Sequence, residues 1–538
     1  MHSKIYIFIV LFSALVFLPF LGSTYLFDWD EVNFAECARE MIQTGDYTQV
    51  MINYIPFWEK PPLFIWMQAL SMKAFGIGSF SARLPNVFAG ICTFLFLFRA
   101  GSQMKGRRFG LLWVLTYVGS LLPNIYFHSG IIDPWFNLFI IIGVYYGYNA
   151  LLKRDVRYYL LAGCFVGLAV LTKGPVGLIL FAAPTGIFVL LNLKKYTLSL
   201  AGVLSFLFSL TIIGGFWFML LLVQDKEDVI TDFISYQIRL FQTKDAGHGG
   251  PFYYHIFVLL FGCFPASLFA IKNFSFRRQD SFKLLMTLTF VFTLLLFSIV
   301  QTKIIHYSSL CYFPITYIAA DYLNKKIADN DALKRNLRTI LISLASFSVV
   351  LIVLAWLLNH PKFILENFET DDFTKDVLKQ EVHPNKLLYL PGSFVLIMSA
   401  AVFLLHKMKN TKIAITGGFL TIPFALLLSF PLVQRIGQYS QAAHIDMCAS
   451  LEEARVVIHP IGFKSFVPLF YGGQKEAFLD DNQEVYSEWA LVHGTFEKEI
   501  YFTSKSYKIE EVLKLYPQLF VINTYGGFAL YGNKKNKK

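Results

Sequence analysis

The charged side chains best placed to do chemistry lie in one stretch, Phe27–Leu63, which reads FDWDEVNFAECAREMIQTGDYTQVMINYIPFWEKPPL. It sits between strongly apolar segments and carries two clusters, Asp28-Trp29-Asp30-Glu31 and Glu59-Lys60 ahead of Pro61-Pro62. Acids and a lysine this close to a membrane are costly unless they bind something. Carboxylates can take a proton from an acceptor hydroxyl or orient it. A lysine held by rigid backbone at headgroup level can grip a lipid phosphate. The plainer reading is helix capping and dipole complementarity for Asp28, Asp30 and Glu31, and a solvated pair for Glu59 and Lys60. Three acids in four residues exceed what one cap requires.

Other charges gather on the same side of the chain. Asp133, in HSGIIDPW, lies at a short turn, where capping ahead of Pro134 is the alternative role. Lys173-Gly174-Pro175 places a cation on the face where topology disfavours one, which points to phosphate binding. Arg239, His248 and His255 lie in or beside a later loop, and Lys303 and His306 lie in QTKIIHYSS at another turn. Each of these alone reads as an interfacial anchor; their gathering on one face is the informative part.

The elements that must position them are apolar helices. At 538 residues, 55% hydrophobic and 17% aromatic against 15% charged, the chain is too apolar for an ordinary soluble enzyme. A bilayer needs roughly 20 apolar residues per span. Such runs fall near 5–22, 84–104, 109–128, 134–152, 158–172, 175–193, 198–223, 255–271, 283–301, 304–324, 339–358, 387–406 and 412–433, about thirteen. Each even-numbered span ends in Lys/Arg, which puts the N-terminus inside and the C-terminus outside. The first apolar run lacks Ala-x-Ala-like cleavage chemistry and reads as a retained first helix. The net charge of +11 sits in these short clusters rather than along one face, which excludes a nucleic-acid partner. The six cysteines form no CxxC pair and read as inert core residues.

The expected fold is therefore a polytopic α-helical membrane protein. Residues 1–433 form the transmembrane domain, with a loop at 23–83 bearing interfacial helices. Residues 434–538 form a small α/β domain outside the membrane, its strands expected in ARVVIHP, SFVPLFYG, LFVINTY and GFALYG and its helix in YKIEEVLKLYP.

Asp30-Glu31 with FAECAREM, then GDYTQV, FWEKPPLFIW, FGIGSFSARLP, LTKGPVGL, RLFQTKDAGHGGPFYYHIFVLLFGCFP and TKIIHYSSLCYFP follow one family's pattern. They resemble the GT-C class of integral-membrane glycosyltransferases, more closely the aminoarabinose (lipid A) transferase and protein O-mannosyltransferase-like group. The resemblance implies transfer of a sugar, with inversion, from a polyprenyl-phosphate donor. The acceptor would be a lipid A-type glycolipid, another envelope glycan or a protein, at the periplasmic face of a bacterial inner membrane. It implies Asp30 as the acceptor-side catalytic carboxylate, with Glu31 beside it and Asp133 as a further acid. Lys60, Lys173, Arg239 and Lys303 would bind the lipid phosphate. Glu59 would orient Lys60 or, with His248, hold a divalent metal ion. The sequence departs from the pattern at Val32-Asn33, where many relatives carry arginine after the acidic pair. A membrane transporter, or a glycan ligase or polymerase, is the competing expectation. A transporter would keep its charges near the bilayer midplane in repeated halves.

Overall fold

The structure, a computed structural model, describes residues 2–534 apart from 243–248, 278–279, 381, 453–455, 475 and 483. A helix or a helix pair stands at each of the thirteen apolar segments. Among the described residues seven helices are long and apolar enough to cross a membrane, or nine when two bent pairs each count as one span. One pair, Arg107–Val118 and Leu121–His128, turns by 84°; the other, Leu200–Gly214 and Phe216–Val223, by 52°. The segment at 255–271 is divided at Pro265, which cannot donate the backbone hydrogen bond a continuous helix needs. Small residues let the helices approach closely. A Cβ on Gly163 would lie 2.3 Å from the Phe206 carbonyl oxygen, so the helices Val156–Lys173 and Leu200–Gly214 pack backbone to backbone there.

The first loop folds as the sequence pattern expects. A helix over Asp30–Thr44 ends at Gly45, whose φ of 73° suits a residue without a Cβ. A two-stranded hairpin pairs Met51–Ile52 with Ile55–Pro56, and a helix follows over Leu63–Phe75. The acidic helix is almost wholly buried, and each of its buried glutamates has hydrogen-bond donors. Glu31 takes two hydrogen bonds from Arg83, at 2.9 and 2.8 Å. Glu36 takes two from Arg39, and Glu40 accepts the backbone N–H groups of Asn53 and Tyr54.

Two local expectations are corrected. Asp28 does not cap the acidic helix: its carboxylate accepts from Ser465 Oγ at 2.5 Å and from the Phe466 N–H. The acid reaching back to the helix start is Glu31, which accepts the Phe27 N–H. The run SFVPLFYG is not a strand, because Val467–Tyr471 is a short helix started by Pro468.

The C-terminal unit carries a four-stranded sheet in the order 457–460, 500–505, 528–533, 519–525, with a helix over Ile509–Leu515. Strand Ile500–Lys505 was not anticipated, because its IYFTSK is short and follows a charged stretch. This unit is not separate from the first loop. Leu26, Cys37, Met41, Ile52, Phe57 and Ile65 share one apolar cluster with Ile445, Cys448, Ile458 and Phe470.

Two predictions follow from these buried charges. Arg83→Met leaves Glu31 charged and unpaired and should cost about 3–5 kcal/mol, read as a lowered melting temperature of the detergent-solubilised protein. Burial and the neighbouring Glu36 push the Glu40 carboxyl up from the ordinary 4.5 to about 9. Between those values the folded chain holds a proton that the unfolded chain has lost, so stability should fall as pH rises across that window. Thermal melts of Glu40→Gln should show a flatter pH dependence.

Candidate active site

Four elements converge on one mouth. The start of the acidic helix brings Asp30, and the segment before Pro61 brings Glu59 and Lys60. The helix Asp133–Lys153 begins with Asp133, and Val156–Lys173 ends with Lys173. Lys173 is placed by LTKGP. Gly174 has a φ of 85°, its N–H caps the Val170 carbonyl, and Pro175 opens the next helix. A Cβ on Gly174 would meet the Phe233 ring at 2.8 Å.

Lys173 Nζ donates to Asp133 Oδ1 at 2.8 Å. His306 Nε2 stands between the two aspartates, 3.4 Å from Asp30 Oδ2 and 3.7 Å from Asp133 Oδ2. Lys60 Nζ is 3.9 Å from Glu59 Oε2 and 5.2 Å from the centre of the Tyr236 ring. Tyr236 Oη donates to Glu59 Oε2 at 2.9 Å, which orients the carboxylate beside Lys60. Burial holds the Lys60 ammonium below its ordinary pKa; Glu59 opposes that shift and nearby Lys173 adds to it. An anion between the two ammonium groups would relieve the repulsion that Lys173 exerts on Lys60.

The remaining candidates lie elsewhere. Glu31 is buried and committed to Arg83 and to the Gly130 N–H. Burial alone would raise its pKa, but Arg83 overcomes this and holds it below the usual carboxylate range. Lys303 Nζ caps the carbonyls of Phe297, Ser298 and Val300 at the end of the helix Ser281–Ile299. Arg239 stacks 5.2 Å from the Tyr236 ring, one residue removed from Glu59. His248 lies outside the described residues. Among those described, no group of three or more His, Cys, Asp or Glu could hold a metal ion, and Glu59 is engaged by Tyr236 and Lys60. Tyr236 and His306 join the site only through the fold. His306 had been noted at its turn in QTKIIHYSS, whereas nothing in the amphipathic run around Tyr236 marked it.

A cavity of about 450 Å³ opens beside Glu59, walled by Trp58 and Pro56 from the first loop and by Lys464, Phe466 and Tyr486 from the C-terminal unit. Neither this cavity nor a larger one of about 1090 Å³ has Asp30, Lys60, Asp133 or Lys173 in its wall.

The helices define a polytopic α-helical membrane protein with this mouth at the ends of its spans. Residues 59–217 match the family model for dolichyl-phosphate-mannose-protein mannosyltransferase. An undecaprenyl phosphate-alpha-4-amino-4-deoxy-L-arabinose arabinosyl transferase of Photorhabdus laumondii is 26% identical over 325 residues, 58% of each chain. Its Edwardsiella ictaluri counterpart is 29% identical over 370 residues, 66% of each chain. The chain thus aligns with about three-fifths of the length of such relatives. The crystal structure of ArnT from Cupriavidus metallidurans bound to undecaprenyl phosphate superposes with a TM-score of 0.76 at 16% identity, covering 99% of this chain and 98% of that one. The apo form of that ArnT gives 0.78. The resemblance read from the motifs, to the aminoarabinose-transferase group, is thereby borne out.

The strained turn at 173–175 supplies a test. Gly174→Ala should cost about 1–3 kcal/mol, the usual penalty for a side chain in a glycine-only conformation. Thermal unfolding of the purified variant would read it.

Proposed function

We propose that the protein is a membrane glycosyltransferase that moves a sugar from a polyprenyl-phosphate donor to an acceptor at the outer face of a bacterial inner membrane. The single observation that carries this reading is the meeting of Lys60 and Lys173 with Asp30 and Asp133 at one mouth. Lys60 and Lys173 bind the donor phosphate and stabilise the charge that grows on it as the anomeric C–O bond breaks. Arg239 stands behind them as a further cation. Asp30, the more open carboxylate, receives the acceptor's proton, and Asp133 holds Lys173 in place. Glu59 keeps Lys60 at the mouth. The relatives named for undecaprenyl phosphate 4-amino-4-deoxy-L-arabinose make that lipid the first donor to try, with lipid A-type glycolipid as the first acceptor. Supporting the orientation, basic residues close the even-numbered spans, so that about thirteen crossings put the N-terminus in the cytoplasm and residues 434–538 outside.

The test incubates purified protein with this donor and a lipid A acceptor and follows release of undecaprenyl phosphate. Asp30→Asn and Lys60→Ala should each lower the rate by about 100-fold or more while the protein still inserts into the membrane. Full activity in both variants would sink the site assignment. Solute flux without sugar release would instead indicate a transporter.

A further inference from the structure

We propose that the larger cavity, of about 1090 Å³, holds the headgroup of one membrane phospholipid that carries both a phosphate and a primary amine. This site is separate from the charged mouth. Its wall runs from residues 22–25, at the exit of the first apolar helix, to the helix Phe430–Gln438. That helix directly follows Thr411–Leu428, which is long and apolar enough to cross a membrane. Phe20 and Phe430 stack with ring centres 4.6 Å apart, so the two helix ends stand side by side. Arg83 ties Leu21, Thr24 and Tyr25 to Glu31, which puts the cavity on the same face as the mouth.

The charges of the wall are left unmatched. Arg435 is 6% exposed, and its Nη2 donates to the His383 carbonyl at 2.9 Å. Its Nη1 is buried without a hydrogen bond, and no carboxylate among the described residues pairs with it. A buried guanidinium short of an acceptor is costly, and a phosphate oxygen is the acceptor that suits it best. Gln380, in the same wall, has an unpartnered Nε2. The wall also holds Asp446 and Glu452, and no cation among the described residues pairs with either; Asp446 Oδ1 accepts the Tyr25 hydroxyl at 2.6 Å. Arg39, the remaining formal charge, is committed to Glu36. One cation and two acids thus line a single cavity without pairing with one another, and a ligand bearing both signs of charge satisfies them together. Its phosphate would meet Arg435, beside the end of the last span, and its ammonium would meet Asp446 on the helix Ala442–Ala449 of the C-terminal unit. Phosphate toward the membrane and amine away from it is the polarity of a phospholipid headgroup. Val433 and Ile77, also in the wall, are 36% and 49% exposed and offer apolar surface to the lipid's chains. The bound lipid would join the first helix, the last span and the C-terminal unit.

The test titrates purified protein in mixed micelles with dioleoyl-phosphatidylethanolamine, dioleoyl-phosphatidylglycerol and O-phosphoethanolamine, and counts bound molecules by native mass spectrometry. One phosphatidylethanolamine should be retained, about 10-fold more tightly than phosphatidylglycerol. Excess undecaprenyl phosphate should not displace it. Arg435→Gln, which keeps a donor for the His383 carbonyl, should weaken its binding by about 10-fold or more. Asp446→Asn should cut the preference for phosphatidylethanolamine over phosphatidylglycerol. Equal affinity for the two lipids in the unaltered protein would overturn the proposal, as would undiminished binding and preference in both variants. O-Phosphoethanolamine binding as tightly as the lipid would mark the ligand as soluble, and displacement by undecaprenyl phosphate would put the lipid at the mouth; either result sinks the assignment. None of these measurements depends on glycosyl transfer.

Discussion

Glu31 and Arg83 meet where neither side chain is exposed, and their pairing locates both halves of the charged mouth. Arg83 sits on the helix Ser79–Lys105 and also donates to the carbonyls of Leu21, Thr24 and Tyr25, which pins the exit of the first helix. Glu31, already held on two sides by Arg83, accepts the Gly130 N–H, three residues before Asp133. Asp30 is its immediate neighbour. One fully bonded ion pair thus sets where the open aspartate stands and where the closed one begins. Such a pair is a weak source of net stability, yet it is very costly to break from one side. Its value here is geometric.

The neighbouring charges are arranged by the opposite rule. Lys60, Lys173, Asp30, Asp133 and Glu59 are brought together with incomplete pairing, and Asp133 keeps an oxygen without a donor. Unfinished electrostatics of this kind are tolerated only where the fold around them is rigid. That rigidity comes from a separate apolar cluster in which Phe34 of the acidic helix, Phe64 of the helix Leu63–Phe75 and Ile132, next to Asp133, pack together. Structure below and chemistry above are thus divided between adjacent residues of the same helix.

Much of this was legible in the sequence, for identifiable reasons. Hydropathy located the helices because a bilayer imposes a length on apolar runs. Asp30, Lys60, Asp133 and Lys173 stood out as charges where charge is expensive, and the structure gathers all four. Charge alone could not separate them from Glu31 and Lys303, whose partners, Arg83 and three helix-end carbonyls, are set by tertiary packing. Tyr236 escaped because a tyrosine in an aromatic-rich chain carries no signal until its hydroxyl is seen on Glu59. The missing strand Ile500–Lys505 and the short helix Val467–Tyr471 were hidden because runs of five or six residues have too little periodicity to separate helix from strand.

The apolar cluster shared by the two ends of the chain also bears on how the protein is made. Phe57 and Ile445 belong to one core yet are separated by nearly four hundred positions. A ribosome adding about 5–20 residues per second needs roughly 20–80 s to cover that distance. Throughout that interval the buried face of Met41, Ile52 and Ile65 has been synthesised and its cover has not. The nascent chain must therefore carry an uncovered sticky surface through most of its own synthesis, which makes this loop the natural place for a folding helper to hold it.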